Sequence, residues 1–203
     1  MRTSQFPLFL PAYNSLSFLF HRNAVENNNQ SVLSESVYDK NLFQSVSGIS
    51  LFLFSILVHL SDENGIYDVD KTKLKNQKIS DIKNRVKIGN SSSADIFVSI
   101  HLNKIPQSQY SGWQTFFKNG SEQGEKLATS IQENLNKTIE KENNRVPMKL
   151  DNVYIVKNVE IPLTIVECGF LSNEEEERKL QEDDYQNKLA WGIYNGIIIY
   201  FYK

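Results

Sequence analysis

A single cysteine, Cys168, leaves the chain without an internal disulfide, so cysteine usage fixes neither a scaffold nor a compartment. Histidine is almost as scarce. His21, His59 and His101 are the whole supply, which severely limits any histidine-based metal site. The first glycine is Gly48, and no Gly-His-Gly occurs anywhere. A formal net charge of −2 leaves no basic footprint, so nucleic acid is not an expected partner. What remains is ordinary: 203 residues, 40% hydrophobic and 23% charged, enough for one globular domain with a proper core.

Basic residues are short at one end in particular. Residues 1–60 hold only three of the 22 Lys and Arg (Arg2, Arg22, Lys40), yet seven of the twelve Phe and ten Ser. Pro7, Pro11 and the Asn27-Asn28-Asn29 run interrupt what periodicity exists there. An apolar stretch follows Arg2 as far as Phe20, but Pro7, Pro11 and Asn14 break it and no small-residue cleavage site follows clearly, so no clear signal peptide is read. Leu42–Leu60 carries no formally charged residue. Gln44, four serines and His59 dilute it, and a buried helix running into a strand is favoured over a membrane-associated segment. The segment 1–60 is thus expected to be atypical, replaced or frame-shifted, ahead of a domain spanning 61–203.

From Ser61 the pattern becomes regular. A polar loop over 62–70 precedes a short amphipathic helix over 80–90, with Ser80 as N-cap and Ile82, Val86 and Ile88 inward. Strands are predicted at 96–100, 115–117, 153–156 and 164–166. Ser121 caps a helix to about Glu140, in which Leu127, Ile131, Leu135 and Ile139 recur every fourth position. Asn173 stands before Glu174–Glu177, read as a helix start where carboxylates suit the dipole, or as an acidic patch. A closing helix over 185–201 presents Leu189, Ile193, Ile197 and Phe201 on one face. Strands alternating with helices imply an α/β sandwich around a single, largely parallel sheet flanked by helices.

Two stretches carry the chemistry: Ala94-Asp95-Ile96-Phe97-Val98-Ser99-Ile100-His101-Leu102-Asn103 and Ile165-Val166-Glu167-Cys168-Gly169-Phe170-Leu171-Ser172-Asn173. Each is an apolar run ending on one ionisable side chain followed by turn residues, which is how a buried strand delivers a reactive group to the carboxyl edge of a sheet. A histidine and a glutamate placed there suit a metal ion and a general base. The bland alternatives are a hydrogen-bonded structural histidine, a salt-bridged Glu167, and an Asn103 that either orients the site or caps the turn. Cys168 reads as a small buried apolar residue, with a Cys168–His101 thiol dyad as the alternative.

Together with the Ser111-Gly112 turn before Thr115-Phe116-Phe117, with Leu127-Ala128, and with Tyr185, Ala190 and Gly196, these stretches resemble the zinc-dependent N-acetylmuramoyl-L-alanine amidase family, the catalytic domain that cuts bacterial peptidoglycan. Ile105-Pro106 and Ser111-Gly112-Trp113-Gln114-Thr115 resemble more specifically the germination-specific, spore-cortex members. The resemblance covers Ser61–Lys203. It implies a cell-wall hydrolase outside the cytoplasm, with His101 a zinc ligand and Glu167 the catalytic carboxylate. It also implies a metal-bound water with a pKa near 7 and cleavage between N-acetylmuramic acid and L-alanine. Peptidoglycan is the implied partner, and no protein partner is indicated.

One departure is plain. The family's Gly-His-Gly turn and a glutamate some fifteen residues later, which supply the remaining protein ligands, are not found. His21 and Glu35 stand fourteen residues apart, near that spacing, but Leu19-Phe20-His21-Arg22 lacks the glycines that let backbone pass close to a metal. The expectation is therefore weak or absent zinc binding, with activity that is low or nil. The alternative function is an inactive remnant or a non-catalytic protein that binds or regulates the cell wall.

Overall fold

The computed structural model describes residues 15–20, 56–57 and 74–202. The readings made of His21, Glu35, His59 and the 62–70 loop lie outside these residues. Of Leu42–Leu60, only Ile56–Leu57 falls within them.

The strand readings at 96–100 and 164–166 become the two longest strands. β3 spans Ile96–Asn103 and β6 spans Leu163–Phe170; every residue of β6 is buried. An all-buried apolar run is what a central strand covered on both faces requires. The remaining strands are β1 (Ser15–Phe20), β2 (Ile56–Leu57), β4 (Gln114–Lys118) and β5 (Met148–Leu150). They form one six-stranded sheet in the order β2-β1-β3-β6-β4-β5. Parallel pairing joins β3 to β6 and β4 to β5, while β4 meets β6 and β1 meets both β3 and β2 antiparallel.

Among the described residues five helices cover the sheet: α1 (Leu74–Ser91), α2 (Glu122–Thr138), α3 (Tyr154–Asn158), α4 (Glu174–Leu180) and α5 (Asp183–Tyr202). The α/β sandwich read from the sequence is the observed architecture. α2 begins where it should, because Ser121 Oγ accepts the Gly124 N–H at 3.1 Å and Glu122 and Glu125 fall in the positive first turn. Its Leu127, Ile131 and Leu135 meet Leu189, Ile193 and Ile197 of α5 in the core cluster on one face of the sheet. On the other face, Val86 of α1 and Ile155 and Val156 of α3 pack on Phe97, Phe116 and Ile165.

Two boundaries differ from the sequence reading. α1 starts at Leu74, so Ser80 lies inside the helix and does not cap it. The stretch Lys75-Asn76-Gln77-Lys78 is helical but polar throughout, so it leaves no amphipathic trace. The strand predicted over 153–156 is instead the single-turn helix α3, with the Lys157 N–H on Val153 O (3.1 Å) and the Val159 N–H on Ile155 O (3.0 Å). An apolar run this short has no period that distinguishes the two. Among the described residues no helix is long and apolar enough to cross a membrane.

The α2–α5 seam depends on two glycines. A Cβ at Gly196 would lie 2.5 Å from Ile131 Cα and 2.9 Å from Ile131 N; one at Gly192 would lie 3.1 Å from Leu135 Cα. At Gly196 the obstacle is backbone, which cannot swing aside. Gly196→Ala should therefore lower stability by about 1–3 kcal/mol through overpacking. An unchanged urea midpoint for that variant would mean that the helices do not approach this closely.

Candidate active site

β3 and β6 run parallel and end together, and their register sets His101 beside Glu167. Across the antiparallel seam, Gln114 of β4 stands opposite Glu167. Because neighbouring residues in register share a face, His101, Glu167 and Gln114 form one row across the sheet end. The side chains alternate, so Cys168 lies on the opposite face, in the α2–α5 core. Burial raises its thiol pKa well above the usual range, and the Cys168–His101 dyad has no geometric basis.

The row is dry. Glu167 is 1% exposed, and neither carboxylate oxygen has a hydrogen-bond partner among the described residues. Desolvation raises its pKa to about 8. Burial, helped by the positive charge of Arg85, lowers the pKa of His101 to about 3, so its imidazole is neutral at physiological pH. Arg85 is itself buried on α1 and donates from Nε to Asp81 Oδ2 at 2.7 Å. Ser99, two residues before His101 on the same face, shares a 2.9 Å hydrogen bond with His101 Nε2. Just beyond, the β3–β6 register slips between His101 and Asn103. Asn103 O accepts the Leu171 N–H at 2.7 Å, while Asn103 Oδ1 is buried without a partner among the described residues. The turn role of Asn103 is thus carried by its backbone, and its side-chain oxygen joins the two of Glu167 as an unmatched acceptor.

Two residues that sequence reasoning did not place at the site, Arg145 and Glu176, frame this row. Arg145 donates from Nη1 to Gln114 Oε1 (3.0 Å) and from Nε to Ser111 O (3.1 Å). Its guanidinium lies over the rings of Phe170 (4.9 Å) and Tyr110 (5.8 Å). Gln114 also donates to Val146 O at 2.9 Å. Glu176, 1% exposed, accepts the Gly112 N–H, the Phe170 N–H (2.9 Å) and Lys141 Nζ (3.2 Å). The reading of Glu174–Glu177 as a helix start holds, with Asn173 Oδ1 accepting the Glu176 N–H at 3.1 Å, but one of the four carboxylates turns inward. Its place three residues after the cap, where a capping-box glutamate falls, was the only sequence signal that set it apart. Arg145 had none, lying in a polar stretch without period.

An α/β domain with a histidine and a buried, unpartnered carboxylate at the ends of two parallel strands belongs to the class that carries its reactive groups on the carboxyl edge of the sheet. The chain belongs to the N-acetylmuramoyl-L-alanine amidase family (Amidase_3), whose sequence profile matches residues 55–198. It is 39% identical over 125 residues to the germination-specific N-acetylmuramoyl-L-alanine amidase of Bacillus subtilis, a match covering 62% of this chain and 52% of the relative. The chain thus spans about half the length of that relative. Among solved structures, the CwlD amidase of Clostridioides difficile, determined in complex with the GerS lipoprotein, superposes with a TM-score of 0.67 at 36% identity, covering 79% of this chain and 80% of that one. An N-acetylmuramoyl-L-alanine amidase of Clostridium difficile 630 gives a TM-score of 0.55 at 32% identity, covering 59% and 64%.

Family membership implies zinc, and the donor set tests that implication. A neutral imidazole and an unbonded carboxylate are ligand-type groups, but a catalytic zinc takes three protein ligands plus a water. Among the described residues, no group of three His, Cys, Asp or Glu comes together. The described residues do not by themselves make a zinc site.

Proposed function

We propose that this chain hydrolyses the amide joining N-acetylmuramic acid to L-alanine in cell-wall peptidoglycan, outside the cytoplasm, with Glu167 as its catalytic carboxylate. One observation carries the reading: Glu167 is fully buried in register with His101, and both of its oxygens lack a partner among the described residues. A carboxylate desolvated without a structural partner is costly unless its proton is put to use. With a pKa near 8, Glu167 moves between acid and base close to working pH. Ionised, it takes the proton of an attacking water; protonated, it returns that proton to the departing L-alanine nitrogen. Similarity to the germination-specific relative supports spore cortex as the material cut. Residues 61–203 are the catalytic unit in this reading, and residues 1–60 a segment of separate origin. Incubation with purified peptidoglycan tests the activity by amine labelling: new amino-terminal L-alanine is expected, and its absence rejects hydrolysis.

We assign His101 as the one metal ligand of the described site, and the chain is expected to hold zinc weakly. The purified protein should contain well under one zinc per chain by plasma mass spectrometry, and His101→Ala should lower that further. About one zinc per chain, lost in both His101→Ala and His21→Ala, would contradict this and show that the first sixty residues complete the site.

The same two-residue donor set favours a second reading, a non-catalytic protein that binds or regulates the cell wall. Saturable calorimetric binding of peptidoglycan fragments without any product distinguishes it from the enzyme.

A further inference from the structure

We infer that Arg145 recognises a free carboxylate on the peptide stem of the substrate, close to the amide that is cut. The inference rests on the amidase reading of the site and adds to it a determinant of substrate choice.

Arg145 is a half-buried cation whose guanidinium, among the described residues, is hydrogen-bonded only to neutral oxygens, Ser111 O and Gln114 Oε1. It makes no ion pair among the described residues. The carboxylate that acts on it electrostatically is Glu176, whose oxygens are committed to the Gly112 and Phe170 N–H groups and to Lys141. Its Nη2 makes no hydrogen bond among the described residues, and it is not among the buried unpartnered atoms. The guanidinium lies over the Phe170 ring at 4.9 Å and the Tyr110 ring at 5.8 Å, so two aromatic faces help to hold it in place. A planar guanidinium, pinned on one side by two hydrogen bonds and open on the other, is pre-organised for a carboxylate. Burying this charge without a counter-ion is unfavourable, and an incoming anion relieves it.

Position selects which carboxylate. Gln114 lies one strand beyond Glu167 in the row, and Arg145 lies beyond Gln114, bonded to its side chain at 3.0 Å. One inter-strand step is about 4.8 Å. Two residues of extended peptide cover roughly 7 Å. In a stem that begins L-alanyl-D-glutamyl and continues through the glutamate side chain, the α-carboxylate of the second residue is free and falls within this range. A stem whose α-carboxylate is amidated offers Arg145 a neutral group and gains less.

Calorimetric titration of the full chain with N-acetylmuramoyl-L-alanyl-D-glutamate γ-methylamide, whose α-carboxylate alone is free, and with the corresponding α-amide tests this without requiring turnover. The acid should bind at least about tenfold tighter than the amide to the native protein, the gain ordinary for a charge-assisted hydrogen bond. Arg145→Gln should bring the two affinities together. Arg145→Lys, which keeps the charge but not the fork, should retain part of the preference and serves as the check if the Gln variant folds poorly. Equal binding of acid and amide to the native protein would overturn the inference while leaving the amidase reading in place. A preference that survives undiminished in both variants would overturn the assignment to Arg145. Binding of neither ligand would overturn the amidase reading and the inference with it.

Discussion

Replacing Glu167 with Gln should reduce hydrolysis by a factor of about 10² to 10⁴, the range for loss of a positioned proton carrier, and should at the same time make the protein more stable at alkaline pH. The second effect follows from the burial of the carboxylate. Its pKa is about 8 in the folded chain against an ordinary 4.5, so the folded state binds the extra proton between those values. Stability from Glu167 is complete below pH 4.5 and is lost as pH rises toward 8, at about 1.4 kcal/mol per pH unit. His101 works in the opposite sense. Its pKa is about 3 when folded against 6.5, so the unfolded chain binds more protons between these limits and stability falls on acidification below 6.5. Between pH 4.5 and 6.5 the two slopes cancel. The metal-free protein should therefore show a plateau of stability over that window, with an alkaline arm missing in Glu167→Gln and an acid arm missing in His101→Gln. Chemical denaturation midpoints across pH 3–8 measure both arms; an alkaline arm that persists unchanged in Glu167→Gln would refute the assigned burial.

Glu176→Ala should be among the most damaging single substitutions, costing about 3–5 kcal/mol of stability. The side chain is 1% exposed and joins three separate pieces of chain: the turn at Gly112, the end of β6 at Phe170, and Lys141 beyond α2. Removing the carboxylate orphans two buried backbone N–H groups, each worth about 1–3 kcal/mol when left unmatched. It also leaves Lys141 without its partner. Gly112 has a φ of +88°, in the region that favours glycine, so the turn has little freedom to find other acceptors. Glu176→Gln keeps an acceptor and should lose about half as much. Urea unfolding followed by circular dichroism distinguishes the two variants, and equal small losses would mean that the buried contacts contribute little.

The parts legible in the sequence were those with a local signature. β3 and β6 announced themselves as apolar runs ending on His101 and Glu167, and α2 and α4 as helices opened by Ser121 and Asn173. The close approach at Gly196, by contrast, depends on Ile131 some 65 residues away, and no local pattern encodes it. β5 has three residues, two of them exposed, and the helix α3 is a single turn, so neither extends over enough chain to show a period. The frame around the site was hidden for the same reason. Glu176 meets Gly112 across 64 residues and Arg145 meets Gln114 across 31. Each looked like a surface charge in a polar stretch, and only folding brings them to one edge.

The most direct test of the account is mass spectrometry of purified spore-cortex peptidoglycan digested by the native chain and by Glu167→Gln in parallel. The account predicts free stem peptides with an unblocked L-alanine amine, together with glycan that keeps its lactyl carboxylate, from the native chain and not from the variant. Cuts confined to glycan or to peptide–peptide bonds, or equal release by both proteins, would contradict it.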